Sequence, residues 1–259
     1  MLLDRIFQVL DDRSRKQAMA SADYWDERAR TRSGFARSVW HSETFSQAWD
    51  ARQQEVLRAA LGPVAGLRVA DVGCGTGRIS RFLAREGAIV TGFDFSPTTV
   101  EAARDESAGV ERLTFEVADA TSGQLPVAAG TFDVLLTVGC LAVACRDLGA
   151  LRRSFEAMAG AAKPGGRVAL LEPIHDNRVV GRVLREPVQA WVDQAHAAGL
   201  TLVQRRGMGF LPVRMLLSSL DAPSWLVEPV FGAGERLLEA GPLEITADYR
   251  LLVFRAPGA

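Results

Sequence analysis

The chain lacks several things at once. Only three of its 259 residues are cysteine, Cys74, Cys140 and Cys145, an odd number that argues against a disulfide framework and for a reducing compartment. Lysine occurs only at Lys16 and Lys163, so 28 of the 30 basic side chains are arginine, against 31 acidic ones. With a net charge of −1 and no basic run clear of acids, the electrostatic attraction on which nucleic-acid binding rests is missing, and no DNA or RNA partner is expected. No apolar run approaches the roughly 20 residues of a membrane span. The opening MLLDRIFQVLDDRSRK sets Asp4 and Arg5 inside its apolar stretch, against a signal-peptide core. The expectation is a cytoplasmic chain without membrane insertion. The three histidines, His41, His175 and His196, are scattered, and Cys140 and Cys145 lack a second pair or a nearby histidine, so no metal site is expected.

What remains is 48% hydrophobic, enough to hold a core without disulfides or metal. Residues 1–62 read as a charged helical cap carrying Trp25, Trp40 and Trp49. After Gly62-Pro63 the pattern alternates between short apolar runs and amphipathic segments. Strands are expected near 67–71, 88–93, 113–117, 132–138, 167–171, 201–206 and 248–255. Ser96-Pro97 and Asp147 open two of the intervening helices. This predicts a Rossmann-like α/β fold with a mainly parallel seven-stranded sheet and helices on both faces, over residues 63–259. The stretch 208–243, with four prolines, is too long for a hairpin and reads as a helical lid inserted before the last strand.

Asp71-Val72-Gly73-Cys74-Gly75-Thr76-Gly77 follows a strand and opens a helix, where glycines let a ligand approach the backbone. The spacing is G-x-G-x-G, not the dinucleotide G-x-G-x-x-G, and an acid stands two residues ahead of the first glycine. A carboxylate there repels a pyrophosphate and suits a cationic ligand. Asp94 ends the second strand at the distance from Gly73 where a carboxylate meets ribose hydroxyls, a feature that fits NAD equally well. Asp119, after the third strand, is placed to bind an amino group of adenine.

From about residue 22 to 172 the chain resembles the class I S-adenosylmethionine-dependent methyltransferases, in particular the small-molecule branch of the ubiquinone and menaquinone methyltransferases. The resemblance rests on DYWDERA, VADVGCGTG, GFDFSP, VADA, FDVLLTVG and AKPGGRVALLEP, in that order. It implies S-adenosylmethionine as cofactor and S-adenosylhomocysteine as product. It also implies that Asp71, Gly73 and Gly75 line the methionine end, with Cys74 and Gly77 of the same loop at the cofactor, and that Asp94 holds the ribose. Phe95 would pack on adenine, Asp119 and Ala120 read its edge, Thr137, Val138 and Gly139 lie beneath the methionine, and Tyr24 closes over the cofactor. The chain departs from many relatives after the fourth strand, where Leu141-Ala142-Val143-Ala144-Cys145 has no histidine.

The acceptor is expected to be a small apolar or aromatic metabolite, with O, C or N as the methylated atom, in a setting such as secondary metabolism. A sulfonium-bound enzyme of the same fold that catalyses cyclisation instead is the first alternative. A dehydrogenase and a non-catalytic cofactor-binding subunit rank below it. If a proton must leave, His175 is the first candidate base and His41 the second. Trp40 and Phe210 are placed at the acceptor. Cys74, although at a helix N-terminus, reads as a small packing residue rather than a nucleophile. The apolar stretches 210–217 and 225–231 have three readings: a substrate wall, a homodimer contact, or packing on the sheet.

Overall fold

Runs of alternating or continuous apolar residues become strands wherever a helix follows to cover them. The computed structural model describes residues 21–31, 42–176, 183–220, 222–241 and 244–258. In chain order the elements are α1 (Ala22–Thr31), α2 (Glu43–Leu61), β1 (Arg68–Val72), α3 (Arg78–Arg85), β2 (Ile89–Asp94), α4 (Pro97–Glu106), β3 (Leu113–Val117) and β4 (Phe132–Val138). There follow α5 (Leu141–Ala144), α6 (Leu148–Ala161), β5 (Ala162–Glu172), α7 (Val188–Ala197), β6 (Thr201–Phe210), α8 (Leu211–Ser219), α9 (Ser224–Glu239) and β7 (Ala247–Arg255). The helix starts expected from sequence are capped as their chemistry dictates: the Ser96 hydroxyl accepts from Thr99 N at 3.0 Å, and Asp147 Oδ1 accepts from Ala150 N at 2.8 Å.

The sheet order is β3-β2-β1-β4-β5-β7-β6, parallel from β3 to β5, with β7 antiparallel to both β5 and β6. Strand order reverses between β1 and β4, and a crevice at the carboxyl ends of such strands is where open α/β sheets bind ligands. One face of the sheet carries a core around Phe93, Leu135, Phe155, Trp191 and Phe254; the other buries Val69, Leu136 and Leu251 against α2. Trp49 of α2 is 1% exposed, its ring 5.7 Å from Phe45, 5.7 Å from Phe231 and 5.2 Å from Tyr249. Thus α2 is built into the main core. Trp40 and His41 lie outside the described residues.

Three boundaries differ from the sequence reading. β5, expected near 167–171, starts at Ala162, so Lys163-Pro164-Gly165-Gly166 falls within its span: Ala162 pairs with Phe132, Arg167 with Val134, and the register shift between them absorbs the extra residues. Second, β6 continues past 206 to Phe210, held by β7 pairs as far as Phe210↔Ala247. The insertion before β7 therefore starts at α8, and its two helices present different faces. Leu217, Val227 and Phe231 join the core, whereas Leu216, Leu220, Trp225 and Leu226 stay exposed. No helix among the described residues is long and apolar enough to cross a membrane.

Candidate active site

The loop between β1 and α3 turns back across the end of β2: Gly73 N and Cys74 N both donate to Phe93 O, at 2.7 and 2.9 Å. Two of its glycines are required for different reasons. At Gly73 (φ 72°) a Cβ would stand 2.1 Å from Cys140 Sγ, so close approach of the loop after β4 excludes any side chain. At Gly75 (φ 55°) a Cβ would meet no atom within 4 Å, because that position opens into a cleft of about 770 Å³. Asp71, Cys74 and Gly75 line this cleft from the first loop, Asp94 and Phe95 from the end of β2, and Val138, Gly139 and Cys140 from the end of β4.

Two carboxylates share the cleft. Asp71 is 2% exposed, and its Oδ2 accepts from the Ser80 hydroxyl at 2.6 Å. Burial pushes its pKa up to about 6, with Ser80 and the guanidinium of Arg78 opposing and Asp94 adding to the rise. Asp94 accepts Gly75 N on Oδ2 at 3.0 Å and Ser96 N on Oδ1 at 3.1 Å, yet burial still holds it above the ordinary carboxylate range. Arg78 also lines the cleft, but it is bonded to Asp50 and to Gln53 Oε1. The Cys74 thiol is raised well above its usual range by burial and by both acids, so it is not a nucleophile at neutral pH.

The raised Asp71 has a measurable consequence. A carboxyl group whose folded pKa exceeds its unfolded one stabilises the fold when protonated, fully below about pH 4, and that contribution is lost as pH rises through about 6. In the ligand-free protein, Asp71→Asn should therefore flatten the fall in melting temperature between pH 4 and 6. An unchanged slope would place the titrating group elsewhere.

The wall after β4 is set by a residue that the sequence reading passed over. Glu172, fully buried at the end of β5, accepts from Thr137 Oγ1 (2.9 Å), Cys140 N (2.9 Å), Leu141 N (3.2 Å) and Ala142 N (3.1 Å). It anchors the start of α5, and Val143 and Ala144 of that helix reach the cleft. A buried acid directly after an apolar strand was its only trace in the sequence.

Several expected site residues lie elsewhere. The Thr137 hydroxyl is turned to Glu172, and Thr137 does not line the cleft. Trp25 lines the cleft, and Tyr24 packs edge-on against it with ring centroids 5.2 Å apart. Gly77 does not line the cleft; a Cβ there would meet Phe115 Cζ at 2.6 Å. Asp119 is exposed, its Oδ1 accepting from the amide and hydroxyl of Thr121, and Ala120 begins a short 3₁₀ turn beside it. Phe210 sits against α9, its Cβ 3.2 Å from where a Cβ on Gly234 would stand. His175 is 7% exposed, with Nε2 3.3 Å from Asp248 Oδ1.

Comparison with known proteins agrees with this geometry. Residues 69–166 match the methyltransferase domain family. A demethylmenaquinone methyltransferase of Tropheryma whipplei is 36% identical over 136 residues, 52% of this chain and 54% of that protein, so the match spans about half of the relative's length. One from Clavibacter sepedonicus is 30% identical over 181 residues, covering 58% of this chain and 71% of the relative. Among solved structures, the (4+2)-cyclase SpnF superposes with a TM-score of 0.59 at 23% identity over 85% of this chain and 87% of its own, a likeness of fold. With the reversal of strand order, the acid-led glycine loop and the second acid at the end of β2, these matches show that the chain belongs to the class I S-adenosylmethionine-dependent methyltransferases.

Proposed function

We propose that the chain binds S-adenosylmethionine in this cleft and directs methyl transfer to a small, apolar or aromatic metabolite in the cytoplasm. The observation that carries the reading is the pair of buried acids, Asp71 and Asp94, whose cleft holds, among the described residues, one arginine that is already bonded to other side chains. Ionising both is costly until a cation enters. The residues fit such a ligand: Asp71 can accept from an ammonium, Asp94 retains lone pairs for ribose hydroxyls, and the open space at Gly75 admits a ligand against the backbone. Phe95 would offer a ring to adenine, Val138 and Gly139 would form the floor, and Trp25, which lines the cleft, would give the cover expected of Tyr24. Asp119 and Ala120 remain candidates for the adenine edge, since Ala118 N bonds Asp94 O at 2.9 Å and brings the end of β3 beside β2.

When bound, S-adenosylmethionine supplies an electrophilic methyl group on a sulfonium. What the chain must add is an aligned acceptor in a site closed to water. α8 and α9, together with Trp40 and Phe210, are the elements we assign to hold it, with His175 ahead of His41 as proton acceptor. The acceptor atom stays open among O, C and N. Incubation with isotopically methyl-labelled S-adenosylmethionine and candidate metabolites tests the reading: the product should gain one methylene unit and the label. An isomer of unchanged mass would instead support cyclisation on the same scaffold.

Asp94→Ala should weaken S-adenosylhomocysteine binding by about 1.5 to 3 kcal/mol through loss of a charged acceptor. Because Asp94 also holds Gly75 N and Ser96 N, the same variant should melt lower. Calorimetry that finds unchanged affinity would remove the ribose assignment.

A further inference from the structure

Helix α9 buries Val227, Phe231 and Leu238 on its inward face. Trp225, Glu228, Gly232, Arg236 and Glu239 share a different face, all within about 40° of Gly232 around the helix axis. Trp225 is 74% exposed, the most exposed large apolar side chain among the described residues. Glu228, Gly232 and Arg236 also line a groove of about 950 Å³ between α9 and α2, whose apolar lining is Ala48, Ala51 and Phe231.

Gly232 has no use inside one copy of the chain. A Cβ there would meet nothing within 4 Å, and a glycine in mid-helix is disfavoured by its backbone freedom. The charges beside it are also unspent. Arg236 Nε reaches back to Gly232 O at 3.3 Å, and neither the rest of that guanidinium nor the Glu228 carboxylate has a partner among the described residues. Eight residues set them about 12 Å apart along the helix, too far to pair with each other.

Glu228 and Arg236 stand four residues on either side of Gly232, so turning the helix end for end about that glycine exchanges their places. We propose that this face is the contact between two copies of the chain, with the α9 helices crossed antiparallel about a two-fold axis at Gly232 and each seated in the other's groove. Glu228 then faces the partner's Arg236 and Arg236 the partner's Glu228, and the missing side chain at Gly232 lets the backbones approach. Seven residues from the axis, Trp225 meets the partner's Glu239, a carboxylate that Arg52 holds at 2.7 Å and whose guanidinium suits an indole face. A partner of one charge sign would meet repulsion from half of this face, whereas a second copy complements all of it. The inference does not depend on the methyl-transfer reading.

Sedimentation equilibrium of the full chain tests it. The chain should reach twice the monomer mass with a dissociation constant below about 100 µM. Gly232→Arg has room in the single copy, so it should keep the circular dichroism of the parent and yet sediment as a monomer. Glu228→Arg and Arg236→Glu each set like charges against each other and should weaken association at least about tenfold. Mixed one to one, those two variants should pair with each other, because the all-basic face of one then meets the all-acidic face of the other. A parent chain that stays monomeric through that range, as it would if this face served a different partner, overturns the proposal. So does a dimer indifferent to Gly232→Arg, or a mixture that associates no better than its two components.

Discussion

Glu172→Gln is expected to destabilise the protein by about 3 kcal/mol, and to do so although the side chain keeps its shape. The carboxylate satisfies four donors, three of them backbone N–H groups at the start of α5, inside a site without water access. A glutamine can accept through one oxygen only. Its amide nitrogen would then confront the Ala142 N–H or those of Cys140 and Leu141, leaving buried donors unpaired, each worth about 1 to 3 kcal/mol. For a chain of this size the melting temperature should fall by about 6 to 12 °C. Affinity for S-adenosylhomocysteine should fall with it, because Cys140, which lines the cleft, is held in place by the same bonds. A variant that melts within 2 °C of the parent, roughly 1 kcal/mol, would show that the α5 amides have other partners.

The second large effect separates two glycines that the sequence presents as equivalent. Gly73→Ala forces a methyl group to 2.1 Å from Cys140 Sγ and 2.5 Å from its Cβ, in a backbone conformation already unfavourable to a side chain. The expected cost is about 3 kcal/mol or more, partly recovered by Cys140→Gly in the same chain, with about 1 to 2 kcal/mol remaining for the left-handed backbone. Gly75→Ala meets no neighbour, so only the backbone cost of about 1 to 2 kcal/mol applies to folding. Its methyl group enters the cleft, so S-adenosylhomocysteine affinity should drop at least tenfold. Melting curves and calorimetry on the three variants decide it: equal effects of the two alanines on both quantities would refute the division of labour.

That division shows where sequence reasoning reached and where it stopped. The seven strands, their alternation with helices and the caps at Ser96 and Asp147 were legible because they depend on local periodicity and short-range bonds. Asp71, Gly75, Asp94 and Phe95, which line one cleft, could be grouped from the sequence because one loop and the next strand end carry them within about two dozen residues. The role of Gly73 was not, since the atom that demands a glycine there belongs to Cys140, on another strand's loop. Glu172 escaped for a related reason: its partners precede it by about 30 residues, and an acid after a strand looks like any other until the fold brings α5 to it. Trp25 and Tyr24 are adjacent on α1, and only the rotation of that helix decides which ring covers the cleft. His175 was noticed for its place after β5, whereas its partner Asp248, and Arg214 that bonds the same carboxylate, lie 73 and 39 residues further along the chain and carry no local mark.

The proposed function requires that the two buried acids, Asp71 and Asp94, take a cationic nucleoside ligand. Calorimetric titration with S-adenosylhomocysteine at pH 7.5 and at pH 5, with NAD in parallel, tests it most directly. Below a ligand-free Asp71 pKa of about 6, binding that requires the ionised acid weakens about tenfold for each pH unit. The predicted result is saturable heat from S-adenosylhomocysteine at pH 7.5, an affinity about tenfold weaker at pH 5, and no saturable heat from NAD. Tight NAD binding with none of S-adenosylhomocysteine would contradict the claim.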